Sequence, residues 1–246
     1  MRRFALTAAL LTATSALPAL AEMTAEEKAD LRAEIRAYLL ENPEILVEAM
    51  SVLQEREAIA ALGRDALLVQ TNAADIFASP TDWVGGNPEG DVTLVEFMDY
   101  RCSYCRKAHP ELADLVASDG NIRFVIKEFP ILGEPSLFAS QFAISVRLLY
   151  GDDAYKAAHD KLIMLRGEPT AETLGQLATE LGHDPAAVLA RMGAEDVKAI
   201  ITANHALAKE LEISGTPAFV LKDQMLRGYV PLDELRGIVE DARKDG

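Results

Sequence analysis

The chain is 246 residues long, 50% hydrophobic, with 24 basic and 39 acidic side chains and a formal charge of −15. That length makes one large domain or a domain with an appendage, and the apolar content is enough for a sizeable core. So acidic a chain is repelled by phosphate backbones, which argues against nucleic acid as a partner; the plain reading of the charge is solubility.

The first 21 residues read as a secretory signal: Arg2 and Arg3, a short apolar run, then the small-residue site Ala19-Leu20-Ala21. A retained anchor is the rival reading, but the run is short for a span, and no later stretch reaches the ~18 apolar residues a span needs. Cleavage near Glu22 would leave 22 basic groups against 39 acidic ones, a charge of −17. The expectation is an exported, periplasmic protein in a compartment where two cysteines can join.

Residues 22–75 form a helical extension without Cys or Trp. Leu31, Ile35, Tyr38 and Leu39 recur at helical spacing, Asn42-Pro43 suggests a cap and first turn, and a second helix carries Leu46, Met50 and Leu53 toward Ala66. Such an apolar stripe either folds back on its own domain or pairs with copies of itself, and homo-oligomerisation through 22–75 is the preferred expectation.

From residue 76 the pattern is mixed α/β. "WVGGNPEGD" reads as a turn-rich lead-in. "VTLVEF", 92–97, and "IRFVIKEF", 122–129, read as strands around a helix carrying Leu112, Leu115 and Val116. Helices follow around Phe142, Leu162, Leu174, Pro185 and Ile201, with breaks at Gly151 and Gly182. Strands at 217–221 and 225–230 and a helix over about 232–244 close the chain.

The only two cysteines, Cys102 and Cys105, stand in "CSYC" between the first strand and its helix. As a staple the pair is weak: a four-residue loop gives about 2 kcal/mol, against ~3 for a 15-residue loop. As a closed zinc clip it lacks ligands, since no second pair exists and the four histidines are scattered; His109 reads as a helix-surface residue. Two thiolates can still hold a soft ion such as Cu(I). As a reactive pair it is well placed, because the orphan amides and dipole of a helix start favour the Cys102 thiolate, the form that attacks disulfides.

These residues resemble the thioredoxin-fold thiol–disulfide oxidoreductases, in the exported DsbA-like branch. Glu96 lies six residues before Cys102, Pro110 five after Cys105, and "SGTPAFV", 214–220, resembles the loop whose cis-proline faces the cysteines. The resemblance implies a thioredoxin fold over 76–246 with a helical insertion at about 134–195, and no cofactor. It implies Cys102 as nucleophile and Cys105 as resolving thiol. Glu96 is implied as the buried acid that takes the Cys105 proton, with Lys127 as that acid's partner. Thr216 and Pro217 would bind an extended substrate, beside Ser103 and Tyr104 between the sulfurs.

Ser103-Tyr104 replace the Pro-His of the DsbA oxidases, which suggests a less oxidising pair, and Thr216 is similar to its counterpart in DsbC-type isomerases. The layout with an N-terminal extension is similar to trimeric ScsC-like proteins, where several active sites surround a client. The expectation is an isomerase or reductase acting on exported cysteine-containing proteins, kept reduced by a DsbD-like membrane donor. The alternatives are a DsbA-like oxidase served by a DsbB-like partner, a copper-handling protein using the two thiolates, and an adaptor that uses only the helical extension.

Overall fold

The computed structural model describes residues 23–244; the expected signal at 1–21 lies outside them. The chain divides into two compact units at 57/58, earlier than the 75/76 boundary drawn from sequence.

In the first unit, α1 (Ala25–Glu41) opens on a capping box between Thr24 and Glu27. Asn42 closes that helix instead of capping the next: its side-chain amide donates to the Tyr38 carbonyl at 2.9 Å. Helix α2 (Glu44–Thr71) follows and contributes to both units. No residue of α1 is buried, and Leu31, Ile35, Tyr38, Leu46, Met50 and Leu53 are all exposed.

The second unit is built on a five-stranded sheet ordered β1-β3-β2-β4-β5. Its strands are β1 (Trp83–Gly86), β2 (Val92–Met98), β3 (Ile122–Glu128), β4 (Ala218–Leu221) and β5 (Gln224–Arg227). Only β2 and β3 are parallel. The mostly apolar β2, buried at every position but Thr93, suits a central strand covered on both faces. Helices α4 (Ser103–Asp119) and α10 (Leu232–Lys244) supply Cys105, Leu112, Leu115, Leu235 and Val239 to the core that holds Leu94, Met98 and Ile126. The opposite face, with Val95, Phe97, Val125 and Val220, is covered by Val69 of α2, Ile76 of α3 (Ala73–Phe77) and Leu207 of α9 (Glu195–Glu210). Between β3 and α9 stand α5 (Glu134–Tyr150), α6 (Asp152–Ile163), α7 (Ala171–Glu180) and α8 (Pro185–Arg191).

Two local expectations need correction. The glycines of 83–86 do not make a lead-in turn: the stretch is an edge strand antiparallel to β3. Trp83 anchors it, stacking on Tyr155 at 5.7 Å and donating its indole N–H to the Asp152 carbonyl at 3.1 Å. Gly86 ends it at φ 69°, where a Cβ would run into the carbonyl of Ile122. The last strand is shorter than 225–230, because the chain leaves it at Gly228 with φ 105°. Helix α3 has no counterpart in the sequence reading.

Candidate active site

Central β2 delivers the chain directly to the cysteines. After Met98 the Asp99 carboxylate gathers four donors: the amides of Arg101 at 2.7 Å, Ile131 at 2.8 Å and Leu132 at 3.0 Å, and the Ser136 hydroxyl at 2.7 Å. The turn so fixed makes Cys102 the N-cap of α4, with its sulfur accepting from the Cys105 amide at 3.4 Å. Arg106, one turn on, ties α4 to the end of α6 and beyond by donating to the carbonyls of Ile163 at 2.9 Å and Leu165 at 3.2 Å. Pro110 lies inside α4.

The two sulfurs are chemically unequal. Cys102 is 8% exposed and Cys105 1%, and both are free thiols. The hydrogen bond from the Cys105 thiol, joined by Thr216 and the amides of Cys105 and Tyr104, pulls Cys102 down to about 5 against the opposing effect of burial. The same bond, then burial and then the charge of Glu96, push Cys105 far up. Near neutral pH the site is therefore a thiolate at Cys102 and a firmly held proton on Cys105.

The 214–220 loop closes the other side. The Thr216–Pro217 peptide is cis, and the Cys102 thiol can donate to the Thr216 carbonyl at 3.1 Å. Glu96 is buried beneath, bordering a cavity of about 460 Å³ together with Leu112, Ile126, Phe124 and Trp83. Burial first, then the negative charges of Cys102 and Glu128, raise its carboxyl to about 8. Ser103 and Tyr104 point outward. Tyr104 stacks on Tyr229 at 6.0 Å, Tyr229 donates to Glu111 at 2.8 Å, and the Lys107 ammonium lies 4.1 Å above the Tyr229 ring. This aromatic ledge beside Cys102 joins elements more than 120 residues apart in sequence, and only Tyr104 was legible there.

Lys127 is not the partner of Glu96. Glu96 is in register with Ile126, and Phe97 with Lys127, so the lysine lies on the other face of the sheet. There it is 1% exposed, forms an ion pair with Asp82 at 2.5 Å and donates to the Asp75 carbonyl. It is neither a solvated strand end nor part of the thiol site.

A buried polar cluster on the cavity side also escaped the sequence reading. Glu128 accepts from Tyr155 at 2.6 Å, Tyr100 at 2.8 Å and Ser140 at 2.7 Å, and burial raises it to about 7. Its one sequence signal was an acid near the end of the strand-like run 122–129.

The thioredoxin family model matches residues 78–241. The chain belongs to the thioredoxin family. Within that family it is similar to thiol–disulfide oxidoreductases. A thioredoxin-like oxidoreductase from Silicibacter pomeroyi DSS-3 is 41% identical, with 70% of this chain and 97% of that one covered at a TM-score of 0.65. Proteus mirabilis ScsC in a transitional conformation is 27% identical, covering 91% and 98% at a TM-score of 0.67. Residues 27–60 match the N-terminal domain of the copper resistance protein ScsC. Among curated relatives, the chain is 28% identical over 165 residues to the Na(+)/H(+) antiporter NhaA 1 of Salinispora arenicola; 65% of this chain spans 24% of that protein's length. Among the described residues, no helix is long and apolar enough to cross a membrane.

Proposed function

We propose that this member of the thioredoxin family is an exported, periplasmic disulfide isomerase or reductase acting on cysteine-containing proteins. The observation that carries the reactive role is the opposed pair of sulfurs, a thiolate near 5 at Cys102 beside a protonated Cys105. The Cys102 thiolate attacks a client disulfide, forming the Cys102–client bond while the second client sulfur leaves as thiolate. For isomerisation that client thiolate, or another, attacks the client sulfur and expels Cys102 unchanged. For reduction Cys105 gives up its proton and attacks Cys102, closing the 102–105 disulfide and freeing a client thiolate; a DsbD-like donor then returns two electrons.

Glu96 fits the proton acceptor in that second route. At about 8, only about one carboxyl in ten is ionised at pH 7 while Cys102 is a thiolate. Once Cys102 enters a mixed disulfide its negative charge is gone, and with it one of the causes that hold Glu96 up. The base is thus released at the step that needs it. Beside the sulfurs, the Thr216 backbone suits pairing with an extended client segment, and the Tyr104–Tyr229 ledge offers an apolar rest for its side chains.

The exposed apolar side chains of α1 and α2, together with the similarity of 27–60 to an ScsC N-terminal domain, support homo-oligomerisation through the extension. Several thiolates around one client raise the chance of rearrangement over release. A DsbA-like oxidase is the second reading, favoured by Cys102 itself: about 5 lies between the thioredoxin value of about 7 and the DsbA value of about 3.5, and a stabilised thiolate makes a more oxidising pair.

Refolding of scrambled ribonuclease separates the two. The full mature chain should recover activity from scrambled substrate, and removal of 22–57, which leaves the sheet unit with its Val69 and Asp65 contacts, should yield a monomer without that recovery. A pair found oxidised in the cell, with no rescue of scrambled substrate, would establish the oxidase instead.

A further inference from the structure

The cavity that Glu96 borders is also lined by His109 of α4 and His159 of α6. The nearest ligating atoms of His109, His159 and Asp160 all lie within 4.8 Å of one another. His109 Nε2 is 3.2 Å from Asp160 Oδ1, and the two imidazole rings are 5.1 Å apart at 60°. Zinc binds histidine nitrogen and carboxylate oxygen at about 2.0–2.2 Å, so two of its tetrahedral ligands stand roughly 3.3 Å apart. His109 and Asp160 already have that spacing, and His159 offers its donor within 4.8 Å of both.

The hydrogen bonds behind His159 set its tautomer. Tyr100 has one hydroxyl hydrogen and gives it to Glu128 Oε1 at 2.8 Å. The Tyr100 oxygen, 3.1 Å from His159 Nδ1, therefore accepts from Nδ1–H. That leaves a lone pair on Nε2, which has no hydrogen-bond partner among the described residues, on a side chain only 3% exposed at the cavity wall. Metal-bound histidines are held in this manner, by an outer acceptor that fixes the ring and its proton. Here the acceptor is itself held by Glu128, whose carboxylate Tyr155 and Ser140 also grip.

We propose that His109, His159 and Asp160 bind one divalent transition cation, zinc or copper(II), with a cavity water in the fourth position. Two imidazoles and a carboxylate suit such borderline ions. The site needs neither cysteine and is independent of the isomerase reading. Lys156 holds both Asp160 oxygens at 2.7 and 2.6 Å, so the ammonium competes with a cation; its side chain is 43% exposed and free to turn into solvent.

The test uses the full mature chain carrying Cys102→Ser and Cys105→Ser, titrated with Zn²⁺ by calorimetry and with Co²⁺ by visible absorption. One equivalent should bind, with the visible bands of tetrahedral cobalt. His109→Ala and Asp160→Asn should each weaken binding at least tenfold, and Lys156→Met should tighten it severalfold. His109 and Asp160 lie at the surface edge of the cluster, so both variants should keep the circular dichroism of the parent. No stoichiometric binding by the cysteine-free chain would overturn the proposal. So would an affinity that His109→Ala and Asp160→Asn leave unmoved, or one that Lys156→Met weakens.

Discussion

Cys105→Ala should raise the titration of Cys102 by one to two units. The Cys105 thiol makes the largest contribution to holding Cys102 at about 5, while Thr216 and the amides of Cys105 and Tyr104 survive the substitution. A hydrogen bond to a charged group is worth about 1.5–3 kcal/mol, and one pKa unit is about 1.4 kcal/mol, so the variant should titrate at about 6–7. The pH dependence of iodoacetamide alkylation, with thiolate absorbance at 240 nm as a second probe, measures both proteins. Equal titration of the two, or a wild-type thiol that titrates above 8, would refute the assignment. The stability consequence has a definite sign. Because folding depresses this thiol from 9.0, its contribution to the reduced protein is complete above pH 9 and is lost as pH falls through 5. At pH 7 two of the four units apply, about 3 kcal/mol, which makes the pair about 60 mV more oxidising than an unperturbed one.

Glu96→Gln should prolong the mixed disulfide with a model peptide by about 10²-fold, the scale of a lost general base, as followed by acid quench and mass spectrometry. The same variant should flatten the pH dependence of stability. Folding raises Glu96 from 4.5 to about 8, so the unfolded chain ionises first and wild-type stability falls between pH 4.5 and 8, by up to about 5 kcal/mol from this group. Thermal melts at pH 5 and pH 8 check it, with Glu128 expected to retain a smaller slope ending near 7. Lys127→Ala should cost about 3–5 kcal/mol, because it strands the Asp82 carboxylate in the interior, yet leave thiol exchange by the folded fraction unchanged. A slowed exchange at undiminished stability would return Lys127 to the active site.

What the sequence disclosed here follows from chemistry that stays local. Cys102, Cys105 and Glu96 sit within ten residues, and an apolar run leading into a CxxC at a helix start fixes their surroundings. Thr216-Pro217 was legible as a motif, and its position against the sulfurs followed only from the family resemblance. Lys127 was misplaced because strand parity decides its face, and parity needs the register of β2 against β3, which neither strand encodes alone. Trp83 and its glycines look like a turn until Tyr155, 72 positions later, is seen to stack on the indole. Tyr229, Glu128 and Tyr100 matter through partners far along the chain, so their own neighbourhoods give no sign of it. The second half of α2 reads as continuing extension, yet Asp65, paired with Arg227, and buried Val69 belong to the sheet unit.

The Asp99 carboxylate has a consequence for how such a protein can diversify. Its four donors come from two places: the turn that aims Cys102, and the entrance of the helical insertion at Ile131, Leu132 and Ser136. One side chain therefore fastens the helical insertion to the turn that presents Cys102. Helices beyond that turn can change their exposed side chains while Asp99 keeps Cys102 in place. A change at Asp99 itself would disturb both at once.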